Sequence, residues 1–414
     1  MHLGWTRSGL AALCASALLL GACSSDDEAA EESTPATRGP NSTSESDCVD
    51  TSGSSEDPQV DEILAIVRES MAEQDLKAVT LSIQRGDDAV LTAGLGETVE
   101  GVPATPDMHF WNGAIVFTYL GTVMLQLAEE GALDIDEPIA RFLPDVPSAG
   151  TITPRMLMAS TSGYTDYVQD DDFIAQLYAD PFRAFTQDEL EAYVFANPLR
   201  FEPGTNVGYS HLNFRLAGEV IEKATGQSLQ DVLSERIVEP LGLTETSVLS
   251  NSDLPSPRLY MFTDERGSYE DSSLWSAAWG VPDGAAMVTT VCDVVAAGKV
   301  VGSGELLSEV SYETLRNPGT AAIGRRTDDC PTCIPTSNEL HLGMGVTVAG
   351  DWIVQTPLFT GIAGIQAYLP SDDLSIAIAN TYGEDSDVGI NGSTAIFNNL
   401  VPLLAPESDL PPFG

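Results

Sequence analysis

The order of hydrophobic patterns along the chain constrains its fold more than any other feature. Val60, Ile63, Leu64, Val67 and Met71 recur at helical spacing after Asp57-Pro58, a capping residue followed by a proline suited to the first helical turn. Val79, Leu81 and Ile83 then alternate with Thr80, Ser82 and Gln84. Arg85-Gly86-Asp87-Asp88 makes a turn, and residues 89–95 read as a second strand. From about 111 to 300 the spacing is mainly helical between Pro- and Gly-marked loops. There Leu212, Leu216, Ala217, Val220, Ile221 and Ala224 form one face between the candidate N-cap Ser210 and Gly226. The last third returns to strands at 343–348, 353–356, 364–369 and 374–380, with a closing helix near 390–404. Strands at both ends of a helical middle predict an α/β (α+β) chain: one antiparallel sheet flanked by helices, with an all-helical subdomain inserted.

The first 23 residues carry Arg7, an apolar run over 9–20, and Leu20-Gly21-Ala22-Cys23. This is the pattern of a secretory signal, too short for a spanning helix. Its end resembles a bacterial lipobox, which implies a signal peptide over 1–22, a mature N-terminus at a lipidated Cys23, and an exported protein held at the cell membrane or envelope. Ordinary cleavage, leaving Cys23 as a free thiol, is the plainer alternative. Residues 23–56 are Ser-, Thr- and acid-rich with few large apolar residues, and read as a flexible tether. The domain is expected over 57–405, with 57–110 and about 281–405 as its α/β part, about 111–280 as its helical part, and 406–414 as a tail. No later stretch is apolar and long enough to cross a bilayer, so membrane attachment is expected through the lipid alone. The formal charge of −44, from 62 acidic and 18 basic residues, argues against a nucleic-acid partner and against a basic membrane-binding patch.

Cys48, Cys292, Cys330 and Cys333 are an even set in an exported chain, which suggests two disulfides with three pairings open. Cys330-Pro-Thr-Cys333 has the spacing of half a metal site or of a redox pair. With no second such motif and no histidine cluster beside it, a structural bridge is the expectation, and no metal or cofactor is expected.

Three short stretches carry the candidate chemistry. Around 110–131, Phe110, Gly113, Gln126-Leu127, Glu129-Glu130-Gly131, Leu133, Asp134, Asp136, Pro138 and Phe142-Leu143-Pro144 form the first. Phe201-Glu202-Pro203-Gly204-Thr205 followed by Tyr209-Ser210-His211 is the second, and Phe359-Thr360-Gly361 with Gly364 the third. In this order they resemble the serine β-lactamase and DD-peptidase family, in its class C and penicillin-binding-protein-like branch. The resemblance implies the β-lactamase/transpeptidase-like fold. It also places the family's nucleophilic serine at Ala114 and its lysine at Phe117. Its Tyr-x-Asn falls on Tyr209 and His211, and its third-motif donor falls on Phe359, ahead of Thr360 and Gly361.

A serine needs a neighbouring base to attack, and alanine and phenylalanine supply neither. No Ser-x-x-Lys occurs at Lys77, Lys223 or Lys299, and no Gly-x-Ser-x-Gly elbow is present. Without a cation beside it, the Tyr209 phenol is expected to stay protonated. The resulting expectation is a catalytically inactive member that binds a peptide, a cell-wall fragment or a protein partner. Its cleft mouth would be lined by Trp111, Phe117, Tyr209 and Phe359, with Thr360 as a polar contact. The alternative is a hydrolase of the esterase, β-lactamase or D-Ala peptidase type with rearranged residues: Thr118 one turn along the helix from Ala114, or His211 as a base near Tyr209 or Ser162. Plainer readings make Thr118 bond its own helix and His211 a satisfied, partly buried histidine. A structural envelope protein without a ligand is the third reading.

Overall fold

In the computed structural model, which describes residues 48–53, 57–249 and 254–413, the Asp57 carboxylate accepts the Gln59 N–H and starts helix α1, Pro58–Glu73. Strands β1 (Leu76–Arg85), β2 (Asp88–Val99) and β3 (Val102–Pro103) follow. The middle of the chain holds helices α2 (Val116–Glu129), α3 (Pro154–Met158), α4 (Asp171–Ala179), α5 (Gln187–Phe195), α6 (His211–Thr225) and α7 (Leu229–Leu233). After α8 (Val291–Ser303) and α9 (Glu309–Arg316) come β4 (Leu340–Leu342), β5 (Thr347–Ala349), β6 (Trp352–Gln355), β7 (Leu358–Phe359), β8 (Ile362–Leu369), β9 (Leu374–Tyr382) and α10 (Gly392–Leu404).

These nine strands form one sheet in the order β3-β2-β1-β9-β8-β6-β5-β4, with β7 paired to β8 and each pairing antiparallel, while a three-stranded and a two-stranded sheet interrupt the part expected to be all-helical. The chain's two ends meet at its centre, where Thr80 faces Ala379 and Ile83 faces Ile376. Helices α1 and α10 cover one face through Ile63, Val67, Phe397 and Leu400, while α8 lies on the other. Strands β8 and β9 are therefore buried at every residue, including the polar Gln366, Ser375, Asn380 and Thr381.

Several expectations shift. The expected strand at 343–348 is two short strands, because the chain turns at 343–346, where the Gly343 N–H reaches the Val346 carbonyl. Ser210 stands at the N-cap of α6 but its hydroxyl donates to the Thr165 carbonyl at 2.6 Å, leaving the capping to another residue. Residues 48–53, read as tether, are tied to the domain: Cys48 is buried and bonded to Cys292, and the Thr51 N–H reaches the Thr92 carbonyl at 2.8 Å. The second disulfide joins Cys330 and Cys333. The signal segment, Cys23 and residues 24–47 of the tether lie outside the described residues.

Candidate functional site

The floor of the site is set where α2 begins. Phe110–Trp111 pairs with Met287–Thr289, and the Asn112 N–H reaches the Met287 carbonyl, which fixes the strand-to-helix turn. Gly113 has φ +57°, and a Cβ there would meet Pro357 at 2.9 Å, so the turn needs glycine. Opposite it, Gly345 has φ +80° and leaves no room for a Cβ, which would lie 2.0 Å from the Phe117 carbonyl oxygen. Gly345 lets the 343–346 turn press onto the first turn of α2, and Gly113 makes room for Pro357. Ala114 is left facing a cleft of about 330 Å³.

The opposite wall comes from two loops stitched together. The Gly204 and Gly208 N–H groups reach the Thr161 and Ser160 carbonyls, and Arg200 Nη2 donates to the carbonyls of Tyr164 and Tyr209 at 2.6 and 2.8 Å. Ser160 holds φ +56°, an uncommon conformation for a non-glycine residue. At the start of α6 the Asp166 carboxylate accepts the His211 N–H at 3.2 Å and lies 3.1 Å from His211 Nδ1 through each oxygen. Asp166 thus caps the helix in place of Ser210 and orients the imidazole at once. A carboxylate at a helix N-terminus is also favoured by the helix dipole. The third wall is Trp279, whose ring stacks on Phe359 with centroids 5.1 Å apart. Its segment is clamped by the fully buried Arg215, which donates to the Ala278 and Val281 carbonyls and to Asp283.

Four of the sequence-predicted residues line the cleft: Ala114, Tyr209, His211 and Phe359. Burial, with the charge of Asp166 adding to it, raises the Tyr209 phenol well above its ordinary value, so it stays protonated and serves as a donor or acceptor of hydrogen bonds. The other predicted residues are elsewhere. Phe117 lies beneath the floor, stacked on Phe214 with centroids 3.8 Å apart and an interplanar angle of 4°. Trp111 is buried beside a separate small hollow next to Phe359. The expected aromatic mouth is therefore built from Tyr209, Phe214, Trp279 and Phe359, because the helix turns Phe117 inward and the strand buries Trp111.

Thr118 donates to the Ile115 carbonyl of its own helix at 2.8 Å and lines no part of the cleft. Ser162 is buried and donates to Asn213 at 2.5 Å, so His211 does not reach it. The Thr360 hydroxyl is buried with no hydrogen-bond partner among the described residues and does not line the cleft, while Gly361 makes the turn from β7 into β8.

Reading the sequence missed Asp166, Ser160, Phe214 and Trp279. Asp166 and His211 are 45 residues apart and meet only because two loops are stitched. Trp279 lies in a segment whose position depends on Arg215. Only Phe214 carried a signal, as the residue three after His211 on α6.

This geometry can be set beside known proteins. Penicillin-binding protein 4 of Amycolatopsis lactamdurans is 30% identical over 179 residues, which cover 41% of this chain and 44% of that relative. The chain thus matches less than half of that relative's length. The D-stereospecific amidohydrolase from Streptomyces sp. shares 23% identity with a TM-score of 0.69, over 83% of this chain and 98% of that one. The D-amino acid amidase from Ochrobactrum anthropi SV3, in complex with L-phenylalanine amide, gives 0.71 at 21% identity over 84% and 98%. Identities this low show the fold alone, which is the β-lactamase/transpeptidase-like α/β fold. The Beta-lactamase family matches residues 63–387, a span that takes in the core strands on both sides of the sheet and the whole helical part between them. On that span the chain belongs to the Beta-lactamase family.

Proposed function

We propose that this chain uses the Beta-lactamase-family cleft to bind a ligand at the cell envelope, anchored through Cys23, without serine–lysine hydrolysis. The observation that carries this reading is the pair at the start of α2. Ala114 presents only a methyl group to the cleft, and the Phe117 ring fills the space beneath it against Phe214. Replacing a serine and its lysine together by packed apolar groups leaves no buried charge uncompensated.

A second reading, a hydrolase with rearranged residues, is favoured by two observations. The relatives are named as a penicillin-binding protein, an amidohydrolase and an amidase. Within this chain, Asp166 orients His211 in the manner of an acid that positions a general base, and Ser160 lines the same cleft. The resemblance in sequence supports the second reading, and the residues at 114 and 117 support the first.

One experiment separates them. The purified full chain is incubated with a chromogenic cephalosporin, a fluorescent penicillin, short-chain esters and D-amino acid amides, with turnover and intact mass recorded. The expected result is neither turnover nor a covalent adduct. Turnover that disappears in His211→Ala or Ser160→Ala would overturn the binding-only reading in favour of the hydrolase.

A further inference from the structure

The cleft walls hold no fixed charge. Among the described residues lining it, the titratable side chains are His211 and Tyr209, and Tyr209 is held as the neutral phenol. The two nearest guanidinium groups are committed elsewhere. Arg200 donates to the Tyr164 and Tyr209 carbonyls and to Thr332, and Arg215 to Gln187, Ala278, Val281 and Asp283.

Among the described residues, two ions are buried behind the walls: the carboxylate of Asp166, 2% exposed and next to His211, and the guanidinium of Arg215, which is paired with Asp283. In the tautomer that donates Nδ1–H to Asp166, the His211 Nε2 is an acceptor. The remaining lining rings are Phe214, Trp279 and Phe359, and an aromatic ring attracts a cation through its electron-rich face. The whole chain adds a field of formal charge −44. An anionic ligand entering this cleft would lose its hydration with no cation among the described lining residues to replace it.

We infer that the cleft takes an organic ammonium with an apolar, ring-sized body and rejects carboxylates and phosphates. The inference rests on the binding role proposed above and adds the charge class of the ligand. The ammonium meets the ring faces of Trp279 and Tyr209, and a primary or secondary amine also donates an N–H to His211 Nε2.

Four probes sharing one phenethyl body test it on the full chain by calorimetry: phenethyltrimethylammonium, phenethylamine, 2-phenylethanol and 3-phenylpropionate. Both ammonium probes are expected to bind at least tenfold more tightly than the alcohol, with no measurable binding of the carboxylate. Trp279→Leu should weaken the quaternary probe about tenfold. Asp166→Asn should weaken phenethylamine more than the quaternary probe, and circular dichroism checks that each variant folds. Equal binding of the alcohol, or binding of the carboxylate, overturns the charge class and leaves the binding role standing. Silence from all four probes also overturns the inference, whereas an acyl adduct in the hydrolysis experiment overturns the binding role itself.

Discussion

Phe117 lies beneath the cleft floor, face on face with the lining ring of Phe214, on helices α2 and α6, and Phe117 is 1% exposed. A ring packed on all sides cannot be shortened without leaving a void, so Phe117→Ala should cost about 3–5 kcal/mol in urea unfolding. Phe117→Lys should cost at least as much, because an ammonium there would be buried among apolar groups with no carboxylate partner in the floor. A lysine variant as stable as the parent chain would show that the floor holds a polar space the packing does not reveal. At this scale the sequence was informative about identity and poor about direction. It marked positions 114, 117, 209, 211 and 359 as one constellation, yet could not say that Phe117 turns inward while Tyr209 and His211 turn outward. That choice depends on what each side chain packs against, and Phe117 stacks on Phe214.

Helices α5 and α6 share a pair of carboxylates. Gln187 Nε2 donates to Glu191 and to Glu219, each at 2.7 Å, and the same side chain accepts from Arg215, which holds the Trp279 segment. Burial first, then the charge of Glu191, pushes the Glu219 carboxyl up from 4.5 to about 7. The folded chain therefore keeps a proton that the unfolded chain releases between those two values. This contribution to stability is fully present below about pH 4.5 and is lost as pH rises through about 7. Glu219→Gln should remove the dependence. The Tm of the variant is expected to rise relative to the parent chain as pH increases from 5 to 8, and parallel melting curves would refute the shared proton. The helices themselves were legible from apolar spacing. The carboxylate pair was not, since it joins residues 28 positions apart on two helices whose crossing no local pattern specifies.

Across the whole molecule, the Cys48–Cys292 bridge closes a separation of 244 residues, whereas Cys330–Cys333 closes three. If a disulfide acts mainly by restricting the unfolded chain, replacing Cys48 and Cys292 together should cost roughly 5 kcal/mol in urea unfolding. Replacing Cys330 and Cys333 should cost clearly less, and the reverse order would show that the short bridge supports the native loop beside Arg200 and Thr332. The first bridge also draws 48–53 into the domain, a segment whose composition alone reads as tether. What the sequence by itself determined was the class of fold and the family, because helical and alternating spacing, turn residues and three ordered motifs are local or linear signals. Only the tertiary structure decided which residues face the cleft. Asp166 behind His211, Trp279 against Phe359 and Arg215 beneath them meet through loop stitching and helix crossing, and such contacts between distant residues leave no periodic trace in the chain.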